Sequence, residues 1–183
     1  FNSNFSWEVN KKFEMTLETG YFKDRLFLTA AYFKNRSSNQ LVGIPLPSTT
    51  GFNSIQANLD ATVENRGLEF QLNTINISKK NFKWNTSLNL TFLNNELISY
   101  PNLEASVYAN KYVIGEPLSI YKAYNLIGVN PSTGIYEFTD YNVDGQLTDV
   151  EDRQKIVNTT PDYYGGLDNI LTYKNWQLDF MFQ

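Results

Sequence analysis

The clearest pattern in this chain lies over residues 64–92. Leu68, Phe70, Leu72 and Thr74 alternate with Gly67, Glu69, Gln71 and Asn73. After the polar segment Ser78-Lys79-Lys80-Asn81 the alternation resumes, with Trp84, Thr86, Leu88, Leu90 and Phe92 on one side. Lys83, Asn85, Ser87, Asn89 and Thr91 fall on the other. Strand side chains point to opposite faces with period two, so the segment predicts a hairpin with one apolar and one polar face. Each arm runs about nine residues or more, the length a tilted strand needs to cross a bilayer. Periodicity alone leaves open whether the apolar face meets a protein core or lipid.

Two more hairpins follow the same rule. Phe13, Met15, Leu17, Thr19 and Tyr21 alternate with Glu14, Thr16, Glu18 and Gly20, then Phe22-Lys23-Asp24 makes a tight connection. In the returning arm Leu26, Leu28, Ala30 and Tyr32 oppose Phe27, Thr29, Ala31 and Phe33. Both faces of that arm are fairly apolar, which leaves its orientation open. The third hairpin runs from Leu167 to Thr172, turns at Tyr173-Lys174-Asn175, and returns with Trp176, Leu178, Phe180 and Phe182 against Gln177, Asp179 and Met181. Pro45, Pro47 and Gly51 mark 35–62 as a long loop, because Pro lacks the donor a ladder needs. A second long loop is expected over 95–161. It holds a smaller hairpin, 120–129 with 135–138, around the turn Asn130-Pro131-Ser132-Thr133-Gly134. No 3.6-residue apolar period stands out.

These elements predict an all-β chain, an antiparallel up-and-down meander of long hairpins with about six long strands. All the short turns then lie at one end and both long loops at the other, as in outer-membrane barrels. Aromatics gather near strand ends: Tyr21, Phe82, Trp84, Tyr173 and Trp176 by the turns, Tyr32 and Phe92 toward the loops. A soluble antiparallel sandwich alternates in the same way. Strand length, the turn and loop asymmetry, and a polar face rich in Asn, Gln, Ser and Thr favour the barrel.

Composition removes several chemistries. With net charge −4 and no run of Lys and Arg, the 183 residues do not suit nucleic acid. Zero Cys and zero His remove thiolate catalysis, Cys-ligated zinc and the commonest general base. No run of about 18 apolar residues exists, so no transmembrane helix is expected. The chain starts at Phe1 without Met or leader and stops inside a strand-like pattern, which reads as a fragment of something longer.

Several short motifs then fall in one order. Trp7-Glu8 precedes the first strand, and Asp24-Arg25-Leu26 sits at a short turn. Pro45-Leu46-Pro47 and Gly51 are followed by Glu64-Asn65-Arg66-Gly67-Leu68-Glu69, Trp84 and Asn94-Asn95. Gly115-Glu116-Pro117-Leu118, Gly128, Thr133-Gly134, the acidic stretch from Asp140 to Arg153, and finally Pro161, Tyr163 and Gly165-Gly166 complete the series. In this order, across nearly the whole chain, they resemble the C-terminal part of the barrel of SusC/RagA-type TonB-dependent outer-membrane transporters of Bacteroidetes. The resemblance implies a partial barrel domain over 1–183, cut from a barrel of about twenty-two strands. It implies an outer-membrane location and no catalytic residues. It also implies import of bulky glycans or peptides beneath a SusD-like surface lipoprotein, driven by the TonB complex through parts of the protein outside this chain. The alternative from another class is a secreted carbohydrate-binding β-sandwich.

On this reading Leu68, Phe70, Leu72, Trp84, Leu88, Leu90 and Phe92 face outer-membrane lipid. Glu69, Gln71, Asn73, Asn85, Ser87 and Asn89 face the lumen. No cofactor is required, but the loop from Asp140 to Glu151 matches the spacing of a calcium loop, with Gly145 at the sharp turn. Its expected ligands are Asp140, Asn142, Asp144, Gln146, Thr148 and Glu151. Asp152, directly before Arg153, is a second choice for the closing acid, and a solvated acidic turn is the plainer reading. Glu14, Glu18, Glu69 and Asp179 lie on polar strand faces, where lumen or solvent exposure explains them better than glycosidase chemistry. Tyr100, Tyr108, Tyr112 and Tyr121 are candidate sugar platforms, though loop packing uses aromatics more often. Gly165-Gly166 is expected to be a kink or bulge at a strand start.

Overall fold

The computed structural model describes residues 5–183. Four long strands come first: β1 (Val9–Tyr21), β2 (Leu26–Pro45), β3 (Ser54–Lys79) and β4 (Phe82–Ser99). Four short strands follow in the second connection: β5 (Ile120–Ala123), β6 (Leu126–Val129), β7 (Tyr136–Phe138) and β8 (Lys155–Asn158). The chain then returns through β9 (Tyr163–Tyr173) and β10 (Trp176–Phe182). The six long elements form one antiparallel sheet in the order β1-β2-β3-β4-β9-β10. Neighbours in the chain are neighbours in space, apart from the excursion between β4 and β9. Among the described residues the other two sheets have two strands each, β5 with β8 and β6 with β7, and neither packs face to face on the six-stranded sheet as a sandwich would require.

The register settles the orientation that β2 left open. Thr19, Leu28, Leu72, Leu88, Leu167 and Phe182 line up across all six strands. Glu18, Thr29, Gln71, Asn89 and Gly166 form a neighbouring row on the opposite face. The even-numbered side of β2 is thus continuous with the apolar side of the central hairpin.

The two loops are shorter than the sequence suggested. Residues 35–45 and 54–62 are strand, leaving 46–53 as the connection, with a 3-10 turn at Ser48–Thr50 and Gly51 at φ 75°. Pro45 closes β2 opposite Ser54, so its missing donor costs no central ladder bond. The polar run from Asn35 to Gln40 and the turn formers Pro45, Pro47 and Gly51 hid the strand, because the two-residue alternation fades there. One register shift lies between Ser38 and Gln40, where Asn39 takes φ 58°. Two more separate β3 from β4, at Thr62/Val63 and at Ile75/Ile77.

Within 95–161 the expected hairpin divides. Its second half forms as β6 with β7, while residues 120–123 pair as β5 with the distant β8. Asn130 Oδ1 accepts from the backbone of Ser132 and Thr133, and Gly134 at φ 72° closes that turn. Gly165-Gly166 is no bulge, since β4 and β9 stay in register through it. A Cβ on Gly165 would collide with the Asn89 carbonyl, so two backbones simply approach closely.

Candidate functional site

The first functional surface is the sheet itself. Leu68 pairs with Phe92, Phe70 with Leu90 and Leu72 with Leu88, while Trp84 pairs with Ile77 beyond the register shift. On the other side Glu69 pairs with Thr91, Gln71 with Asn89 and Asn73 with Ser87, and Asn85 pairs with Ile75. Each of the two predicted sets therefore shares one face. The polar face is knitted by side chains, with Ser87 Oγ donating to Asn73 Oδ1 at 2.8 Å. On the apolar face, the run from Trp84 to Phe92 spans roughly 27 Å along the strand. That becomes about 20 Å of thickness at a tilt of about 40°, near the apolar band of a membrane barrel.

Aromatics edge this band. Phe82, Tyr173 and Trp176 form a cross-strand row at the short turns. Met15, Tyr32, Leu68, Phe92 and Tyr163 form the row at the opposite edge. Phe92 lies 5.9 Å from Tyr163 and 6.3 Å from Phe70, between ring centroids.

Beyond the band, the long connection folds onto the polar side. Ala61, Val63, Leu97, Tyr100 and Leu103 form its buried cluster, with Leu59, Tyr108, Tyr112 and Leu118 packed against it. Tyr108 sits 6.2 Å from Tyr100 and 5.6 Å from Tyr112. Three of the four candidate sugar platforms are thus committed to packing. The fourth, Tyr121, stays 55% exposed, with the Arg153 guanidinium over one face of the ring at 5.0 Å from its centre. Gly115-Glu116 continues the ladder on β4 above the end of β9, with Leu97 donating to Glu116 and Gly115 donating to Leu97, each at 2.9 Å.

The acidic loop brings some predicted ligands together and turns others away. Asn142 Nδ2 donates to Asp144 Oδ2 at 3.1 Å and to Glu151 Oε2 at 3.0 Å, and Thr148 Oγ1 reaches the same Glu151 oxygen at 3.2 Å. Asp140 faces the backbone, its two oxygens accepting from Val143 and Gly145 at 2.7 Å each. The backbone N–H of Gln146 donates to Asp144 Oδ1 at 2.7 Å. Among the described residues no group of three or more acidic, His or Cys side chains is arranged to hold a metal ion.

Asp152 closes the loop. It is fully buried, and its oxygens accept from the backbone of Tyr141 and Thr148, each at 2.8 Å. The Thr148 and Tyr141 amides hold its carboxyl below the usual carboxylate range, outweighing the opposing effect of burial. Its place directly before Arg153 was the sequence signal for this role.

The other acids do not pair. Glu14 and Glu69 sit on β1 and β3 with β2 between them, Glu18 lies two pleat repeats, about 13 Å, from Glu14, and Asp179 is on β10. Sequence reading missed a charged group on the apolar side, just past the aromatic edge. Glu64, almost fully buried, meets Lys34 at 3.1 Å, Arg36 Nε at 2.9 Å and Arg66 at 3.9 Å. Only the cross-strand register brings these residues together.

Comparison with known proteins agrees with this arrangement. The family described as TonB dependent receptor-like, beta-barrel, matches residues 1–182. TonB-dependent receptor P26 of Formosa agariphila is 26% identical over 205 residues, covering 100% of this chain and 20% of that protein. TonB-dependent receptor SusC of Bacteroides thetaiotaomicron is 24% identical over 196 residues, covering 98% and 19%. The RagAB peptide importer in its "open-open" state superposes with a TM-score of 0.75 at 22% identity, over 96% of this chain and 20% of that one. This chain spans about a fifth of the length of these relatives. Their family consists of outer-membrane transporters, not enzymes. With its six-stranded wall, its two faces and a match along almost its whole length, the chain belongs to the β-barrel family of TonB-dependent receptors.

Proposed function

We propose that this chain forms part of the wall and outer loops of a nutrient importer that takes up glycans or peptides together with a SusD-like lipoprotein. The observation that carries the reading is the unbroken two-faced sheet, with Leu28, Leu72, Leu88 and Leu167 in one row and Thr29, Gln71, Asn89 and Gly166 in the row behind it. On this reading the first set meets lipid and the second meets the aqueous lumen. Energy coupling through TonB belongs to parts of the full-length protein outside this chain. Cells lacking the full-length gene should lose uptake of one class of labelled oligomer, saccharide or peptide. The tagged protein should co-purify with a surface lipoprotein. Unchanged uptake of both classes and purification alone would overturn the reading.

Calcium in the acidic loop is a second proposal, supported by the meeting of Asn142, Asp144 and Thr148 around Glu151. A cation would draw on Asp144, Glu151, Thr148 and the side-chain oxygen of Asn142, with Asp140 bracing the turn. Titration calorimetry on the full-length protein showing no heat at millimolar calcium would dispose of it.

A further inference from the structure

We propose that Lys11, Lys34, Arg36 and Arg66 form a binding ledge for the phosphate-bearing headgroup of a membrane lipid on the outer surface of the barrel. The inference rests on the lipid-facing reading of the apolar side. In the cross-strand rows, Lys34 and Arg66 stand directly beyond Tyr32 and Leu68, and Lys11 and Arg36 stand one row further out. The cations thus begin where the aromatic edge ends, at the depth where a lipid changes from chain to headgroup. They come from three strands, and only Lys34 and Arg36 are close in sequence, so no basic run announces them.

Charge on the ledge is uneven. Four cations stand in rows that hold two carboxylates, Glu64 and Glu96, and only Lys34, Arg36 and Arg66 pair with them. Glu64 is almost fully buried beneath Lys34, Arg36 and Arg66 and ties those three together, while Arg66 also reaches Glu96 at 3.4 Å. The outer side chains keep substantial exposure, 39% for Lys34, 43% for Arg36 and 47% for Arg66. Each keeps donors that Glu64 does not use, since a guanidinium carries five N–H groups and an ammonium three. A buried carboxylate under three half-exposed cations resembles a preorganised anion clamp more than a surface ion pair.

A cleft beside the ledge supplies the apolar half. Tyr32, Leu68 and Phe92 line it together with Arg66, and its volume is about 360 Å³. Asn94 and Thr160 add hydrogen-bonding groups, and Asp162 stands at the same cleft as its one acid. The first carbons of an acyl chain would lie on Tyr32, Leu68 and Phe92, with the phosphate above on Arg66 and Lys34. That pairing of apolar floor and cationic rim fits a lipid better than a free anion.

The test uses delipidated full-length protein in detergent, titrated with lipid A, with phosphatase-treated lipid A and with inorganic phosphate. Wild type should bind the phosphorylated lipid about tenfold more tightly than the dephosphorylated form, and inorganic phosphate should not compete at millimolar concentration. In K34Q/R66Q the preference should vanish while binding of the dephosphorylated lipid is unchanged. K11Q, which leaves the Glu64 contacts intact, should reduce the preference about threefold and controls for misfolding. Equal binding of the two lipids by wild type, or an unchanged preference in both variants, would overturn the ledge. Effective competition by inorganic phosphate would overturn lipid as the occupant. Failure of wild type to bind either lipid would instead count against the lipid-facing side itself.

Discussion

The indole Nε1–H of Trp84 donates to Asn169 Oδ1 at 3.0 Å, across the β4–β9 pair. Thr86 Oγ1 donates to the same oxygen at 2.7 Å. Asn169 is buried on the apolar side of the sheet, two rows from the Phe82–Tyr173 row at the short turns. A Trp at a membrane edge needs a partner for its single donor, and here the partner is built into the wall. Replacing Asn169 with Leu leaves the indole without its protein acceptor. The expected loss is about 1–2 kcal/mol of barrel stability, and W84F should remove the indole's share of it in a double-mutant cycle, leaving the part that belongs to Thr86. Urea-induced unfolding from lipid vesicles measures both.

Leu88 and Asn89 are adjacent and point to opposite sides. Leu88→Arg in the middle of the apolar row should cost about 2–4 kcal/mol if that side meets lipid. Asn89→Arg should be nearly neutral. Equal effects in a vesicle refolding assay would reject the assignment of sides.

Gly67 lies under the ring of Phe33, and a Cβ there would come within 2.6 Å of Phe33 Cζ and against the Phe92 carbonyl oxygen. Gly67→Val should destabilise the wall by about 1–3 kcal/mol, as overpacking does. F33L should not restore it fully, because the Phe92 backbone remains in the way. Full rescue in the same unfolding assay would show that the ring alone matters.

Asp152 makes the acidic loop sensitive to pH. Its carboxyl is held low in the folded loop by the Thr148 and Tyr141 amides. The stabilisation it gives is therefore present above the usual carboxylate value and is lost as pH falls through the depressed one. Hydrogen exchange at the Tyr141 and Thr148 amides should stay slow from neutral pH down to about pH 4, the usual carboxylate range, after correction for intrinsic rates. It should speed up below that. D152N should expose at least one of the two amides at neutral pH. Protection unchanged by either perturbation would remove Asp152 from this role.

The central part of the sheet was legible because there one face of each strand is apolar and the other polar. Leu68 to Phe92 carries that contrast, and its partner rows followed once the register was known. Beyond Lys34 the alternation of β2 fades into the polar run from Asn35 to Gln40, so the strand at 35–45 looked like loop. The pairing of β5 with β8 joins Ile120 to Asn158 across a long sequence gap that no local pattern encodes. The Glu64 group was hidden for the same reason, since its members come from β2, β3 and β4.

The register shifts along β3 also limit how this wall can change over evolutionary time. A strand has a frame of two, so one inserted or deleted residue exchanges the wet and oily sides of everything downstream. In β3 the frame against β4 is broken only at Thr62/Val63 and Ile75/Ile77, outside the rows from Leu68 to Thr74. Single-residue length changes are therefore tolerable at those two joints. Between them only substitutions, or insertions in pairs, preserve the wall. Length variation among related barrels should cluster at such joints and leave the stretch between them at constant length.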